Sequence, residues 1–147
     1  MKVVQTMGYN LFEGVFLVVH GALSPTDAEW NECVAYYVPL LKDGQVEQMP
    51  TLVVTDGGGP TATQRAKTNE TLRGKVARIA VCSDSMSARM IVNALGLFNR
   101  HMHAFPKNQI SRALDHLGVA PHLKTRIIGE IQRMQARLAQ SSAITTL

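Results

Sequence analysis

A recurring unit constrains this chain more than any other feature of its sequence: a short apolar run, a tight turn, then a helix-forming stretch. Val15-Phe16-Leu17-Val18-Val19 leads through His20-Gly21-Ala22-Leu23 to Ser24-Pro25-Thr26-Asp27. Thr51-Leu52-Val53-Val54-Thr55 runs into Asp56-Gly57-Gly58-Gly59-Pro60. A run from Val76 to Cys82 meets Ser83-Asp84, and one from His101 to Phe105 meets Pro106. Strands that alternate with helices call for a mostly parallel sheet joined by right-handed crossovers. Upstream, a strand-like opening starts at Val3-Val4, and Glu13-Gly14 offers a turn between Leu11-Phe12 and Val15. That pattern predicts a β-hairpin. The expected class is α/β: a mixed, mostly parallel sheet of about five strands with an opening β-hairpin and flanking helices. The expected order is β-β-α-β-α-β-α-β-α, then one more helix.

The helix boundaries follow from capping signals. Ser24 can cap the first helix, with Pro25 at its first position and Asp27 completing a capping-box-like arrangement. This helix is expected to run to about Lys42, with Trp30, Val34, Tyr37 and Leu41 on one face. The second is expected from Pro60 or Thr61 to near Gly74. The third is capped by Ser83 or Asp84, carries Met86, Met90, Ile91, Ala94 and Leu95, and stops at Gly96. The fourth spans Pro106 to Leu117 and is closed by Gly118. Residues 121–139 form an amphipathic helix with Leu123, Ile127, Ile128, Ile131, Met134 and Leu138 as its stripe, and the end from Ser141 is expected to fray.

Composition bounds the function. A chain of 147 residues has the usual size of one domain, and 46% apolar residues suffice for one core. No apolar run approaches the roughly 18 residues of a membrane helix, and Met1-Lys2-Val3-Val4 meets polar residues too soon for a signal peptide. Cys33 and Cys82 read as buried, reduced thiols, which points to the cytoplasm. The net charge of +4 is unevenly placed: Lys124, Arg126, Arg133 and Arg137 stand against Glu130 alone after residue 118. With 5% aromatic residues and no continuous basic face, nucleic-acid binding is not expected.

Four local patterns, in order and at their spacing, resemble the STAS domain, the family of the bacterial anti-sigma factor antagonists and of the cytosolic domains of sulfate transporters. They are Val19-His20-Gly21-Ala22-Leu23, the strand ending Asp56-x-x-Gly59, the step Ile79-Ala80-Val81-Cys82-Ser83-Asp84, and Ala94-Leu95-Gly96-Leu97-Phe98 with His103-Ala104-Phe105-Pro106. The resemblance covers residues 1–118, read as a STAS-like domain; residues 119–147 are read as a C-terminal helical extension. In the antagonists the strand matching Thr51–Thr55 ends in Asp-Ser-Ser/Thr-Gly, and a partner kinase phosphorylates the third of those residues. Here Asp56 and Gly59 match the outer positions, while Gly57 and Gly58 replace both hydroxyl residues, so the phosphoacceptor position is Gly58. Thr61 and Thr63 are the nearest hydroxyls.

The candidate site is a partner-binding face made of Asp56, Gly57, Gly58, Gly59, Thr61, Thr63, Arg65, Ser83, Asp84 and Ser85. Two uses compete for the glycine turn: its backbone N–H groups can cradle a phosphate or carboxylate, or its glycines can serve a tight strand-to-helix connection. It lacks the Gly-Lys-Ser/Thr ending of a P-loop. His20 has no identifiable nucleophile or second polar partner. His101 and His103 share one face of a strand, with no third metal ligand at suitable spacing, so neither metal nor cofactor is expected. Cys82 stands ahead of a helix start, where a thiol can be activated, but a buried small hydrophobe is the ordinary reading. Met86, Met90, Met102 and Met134 read as core.

The expected function is a non-catalytic protein–protein interaction module in bacterial signalling or scaffolding. The alternative is a small anionic ligand or nucleotide site, or an enzyme, at the glycine turn. The terminal stripe has three competing uses: packing on the domain, pairing with a partner or second copy in a homo-oligomer, or lying on an acidic membrane surface. No stable membrane insertion is expected, and removal of residues 119–147 is expected to leave a folded core.

Overall fold

Strands β1 (Met7–Phe12) and β2 (Val15–His20) form the expected antiparallel hairpin, turning on Glu13 and Gly14, at φ of 51° and 78°. The computed structural model describes residues 5–41, 49–73, 78–96 and 102–146; the expectations for Val3-Val4, Lys42, Gly74, Val76 and His101 lie outside them. Strands β3 (Thr51–Thr55), β4 (Ile79–Cys82) and β5 (Met102–Phe105) add in parallel. The spatial order is β1-β2-β3-β4-β5, so each strand lies beside its neighbour in sequence.

All six residues of β2 are buried, because both faces of the sheet are covered. Alternate residues separate the two cores. Phe16 and Val18 join Met7 and Cys33 on one side. Val15, Leu17 and Val19 join Leu52, Val54, Ala80 and Cys82 on the other. Cys33 lies on helix α1 (Asp27–Tyr37), which covers the first side with Trp30 and Tyr37 packed beside it.

Helix α1 starts later than expected. Its cap is Thr26, not Ser24. Thr26 Oγ1 accepts from Glu29 N–H at 3.1 Å, and the Glu29 carboxylate accepts from Thr26 N–H at 3.1 Å. Glutamate at the third helical position reaches back to the cap backbone; Asp27 occupies the first helical position. Glu29 also accepts from Thr6 N–H and Thr6 Oγ1, both at 2.9 Å, and so ties α1 to the segment entering β1. The helix ends at Tyr37, short of Lys42, where Pro39 enters a 3₁₀ turn over Val38–Leu40.

Helix α2 (Ala62–Thr71) is capped by Thr61 with Gln64 as its reciprocal partner. Helix α3 (Met86–Gly96) is capped by Ser85, not Ser83 or Asp84: Ser85 Oγ accepts from Ala88 N–H at 3.2 Å. Helix α4 (Ile110–His116) starts later than expected, after a turn in which Gln109 N–H donates to the Pro106 carbonyl.

Helix α5 (Pro121–Thr146) continues past the expected fraying point, and Ser141 Oγ accepts from Gln5 N–H at 3.3 Å. Its stripe is buried against this chain's own sheet. Ile127, Ile131 and Met134 share one cluster with Val15, Leu17, Val19, Leu52 and Val54, joined by Ala113, Leu114 and Leu117. Of the three competing uses, packing on the domain is the one seen: the stripe is covered within this chain, because α5 closes the face that α1 leaves open. Its basic residues are paired within the chain too. Lys124 meets Asp115, Arg126 meets Glu13 at 2.7 Å, and Arg133 and Arg137 meet Glu130 at 3.0 and 3.1 Å.

Removing residues 119–147 should therefore leave an unfolded or insoluble chain, the reverse of the expectation from sequence. Ile131→Ala should cost about 2–5 kcal/mol, the usual range for truncating a buried isoleucine, read from denaturant melts. A soluble truncation that still unfolds in one cooperative denaturant transition would contradict this packing.

Candidate functional site

Strands β2 to β5 run parallel, so their carboxyl ends and the loops that follow them lie at one edge of the sheet. The predicted residues 56–59 and 83–85 meet there. A Cβ built on Gly57 would stand 3.7 Å from Ser85 Oγ, so the two loops are in contact. Lys107, at the end of β5, links them: its ammonium pairs with Asp56, and its N–H donates to Asp84 Oδ1 at 3.0 Å. Sequence reasoning did not include Lys107. No local signal marked it, because its partners lie 51 and 23 residues away.

Gly58 carries the strongest steric demand in the chain. Its N–H donates to the Gly21 carbonyl at 2.8 Å, and its carbonyl accepts from Thr55 Oγ1 at 2.6 Å. A Cβ here would lie 2.2 Å from the Leu23 carbonyl oxygen and 2.6 Å from that of Gly21. The turn thus presses against the loop leaving β2, and only a residue without a side chain fits. Gly57 has φ +121°, a conformation that L side chains rarely adopt.

Several polar groups of this edge have partners within the chain. Asp56 N–H donates to the His20 carbonyl at 3.2 Å, and Gly57 N–H to Thr55 Oγ1 at 3.0 Å. Ser83 is fully buried, and its Oγ accepts from Ser85 N–H at 3.1 Å. Thr61 Oγ1 accepts from Gln64 N–H at 3.2 Å as the helix cap. Arg65 folds back so that Nη1 donates to the Pro60 carbonyl at 2.8 Å. Thr63 is exposed in the first turn of α2.

Large apolar side chains are also exposed at this edge. Leu23 is 66% exposed, Met86 70% and Met90 64%. Leu23 lies in the loop against Gly58, and Met86 follows Ser85 directly. Met86 and Met90 lie one helical turn apart on α3. The core reading holds for Met134, which is buried, and fails for Met86 and Met90. Their i, i+4 spacing marks a common face without saying whether it turns inward.

The remaining candidates are structural groups. His20 is 4% exposed, its ring stacks on Trp30 at 6.5 Å, and its Nδ1 has no hydrogen-bond partner. Burial pushes its pKa down to about 4, partly opposed by the Glu29 charge, so it is neutral near pH 7. Burial raises Cys82 to about 12 and, helped by the Glu32 charge, Cys33 to about 12, which keeps both as thiols. His103 packs edge-on against His116 at 4.3 Å. Among the described residues, no three His, Cys, Asp or Glu side chains group as metal ligands would, and no helix is long and apolar enough to cross a membrane. A scan of protein-family models, a search of curated proteins and a search of solved structures each give no match.

Gly58→Ser should destabilise the fold by on the order of 3 kcal/mol, from overpacking against backbone that cannot yield. Gly58→Ser protein with a wild-type denaturation midpoint would contradict the close approach. The His20 ring predicts a pH dependence. The unfolded chain takes up a proton near pH 6.5 that folded His20 resists to about 4. Stability is therefore intact above about pH 6.5 and falls toward pH 4, by on the order of 3 kcal/mol. Melts of His20→Gln should lack that slope; an unchanged slope would assign it to other groups.

Proposed function

We propose that this chain is a non-catalytic interaction module of the STAS-like type, acting in bacterial signalling or scaffolding, and that it docks a partner protein at the carboxyl edge of its sheet. One observation carries the reading: Leu23 stands exposed in the loop against Gly58, and Met86 and Met90 stand exposed on the first turns of α3, beside a glycine turn whose N–H groups at residues 56–58 are engaged. Exposed apolar side chains grouped at a sheet edge mark an interaction surface, and methionine adapts its shape to a partner. The same engagement argues against an anion cradle. The N–H groups of Asp56, Gly57 and Gly58 already serve the chain itself.

On this reading, regulation by phosphate at the family's position is absent. Gly58 has no hydroxyl, and the backbone packed around it leaves no space for one.

Capture from the source cells should return one stoichiometric protein on the wild-type chain. The triple variant Leu23→Ser, Met86→Ser, Met90→Ser should lose it while keeping the wild-type melting temperature. A thermal-shift screen with nucleotides and phosphates should be silent. Capture that survives the triple variant, or a nucleotide that raises the melting temperature in proportion to its concentration, would overturn the reading.

A further inference from the structure

Among the described residues, β1 is an edge strand of the sheet, and an edge strand presents a row of backbone donors and acceptors. The neighbouring hydrogen bonds fix which residues face outward. Phe16 N–H donates to the Pro50 carbonyl and Asp56 N–H to the His20 carbonyl, so the even-numbered residues of β2 turn toward β3. Val15, Leu17 and Val19 therefore turn toward β1, opposite Phe12, Asn10 and Gly8. Met7, Tyr9 and Leu11 are left to direct their N–H and C=O groups away from the sheet.

Side chains cap this outer row at both ends. Leu11 N–H donates to Tyr36 Oη at 3.4 Å, and Gln5 N–H to Ser141 Oγ at 3.3 Å. Met7 and Tyr9 form the open stretch between them. A cleft of about 430 Å³ lies at that stretch, with Glu29 and Glu32 on one wall and Met134, Arg137 and Leu138 on the other. Met7 is 4% exposed, so its edge groups are reached only through this cleft, which Met7 and Tyr9 both line. The strand Met7–Phe12 also lacks the lysine, proline or other charge that commonly guards an edge.

We propose that this cleft takes an extended segment of a partner protein as an added strand on β1, with basic and apolar side chains in alternation. Successive side chains of a strand point to opposite faces. One set therefore meets Glu29 and Glu32 of α1, and the other meets Met134 and Leu138 of α5. Glu29 stays ionised: burial works to raise its pKa, and hydrogen bonds from Thr6 and Thr26 outweigh it. Arg137 shares Glu130 with Arg133, so across the cleft a single cation faces the two carboxylates of α1, and that wall stays acidic. A second copy fits poorly. Antiparallel pairing of two β1 strands about a twofold axis would set α1 beside α1, carboxylates against carboxylates. This docking strip is separate from the carboxyl edge of the sheet.

The test uses the full chain and two short capped peptides, one alternating valine with lysine, the other valine with glutamate. The lysine peptide should bind about tenfold or more tightly than the glutamate peptide, a difference of about 1.4 kcal/mol. It should slow amide exchange at Met7 and Tyr9 about tenfold or more. Glu32→Lys, at an exposed position of α1, should weaken the lysine peptide about tenfold. No binding at about 1 mM, equal binding of the two peptides, or binding that leaves exchange at Met7 and Tyr9 unchanged would overturn the proposal. So would a concentration-dependent dimer that protects those two amides without peptide, which would assign the edge to a second copy.

Discussion

The burial of α5 against the sheet is the contact on which the rest of the molecule depends. β2 and β3 carry large apolar residues on both faces. A strand of that kind is stable only when both faces are covered. Helix α1 covers one face; Ile127, Ile131 and Met134, with Ala113, Leu114 and Leu117, cover the other. Burying a large aliphatic side chain contributes about 1.5–3 kcal/mol, so these few residues are comparable to the whole net stability of a typical domain, about 5–15 kcal/mol.

A sheet held from both sides presents its edges rigidly. At the carboxyl edge, Gly58 brings the turn into backbone contact with the loop leaving β2, and Lys107 joins the loops after β3 and β4. Most of the polar groups there are tied into the scaffold, and Leu23, Met86 and Met90 add large apolar side chains to the exposed surface. At the β1 edge, α1 and α5 stand as walls on either side of the strand. Helix α5 thus takes part in two jobs, closing the core and shaping that cleft.

The strand pattern was legible in the sequence because its cause is local. Short apolar runs bounded by turn residues marked all five strands and their succession along the chain. The helix caps were legible only in part: Thr26 with Glu29 offers a better reciprocal pair than Ser24 with Asp27, and either fits a short window. The glycine turn was visible, but the demand for glycine at position 58 comes from the Gly21 and Leu23 carbonyls more than thirty residues away. The amphipathic stripe of α5 was clear, yet a stripe does not say what covers it. The same gap left Met86 and Met90 read as core. Spacing gives a face, and only the tertiary arrangement says which way it turns.

Native-state hydrogen exchange tests the role of α5 most directly. If α5 completes the core, the amides of Ile127 and Ile131 should exchange only through the opening that also exposes Leu17 and Leu52, with the same free energy and the same denaturant dependence. Exchange of the α5 amides through a separate, lower-energy opening, with β2 and β3 still protected, would make the helix an appendage and contradict the account.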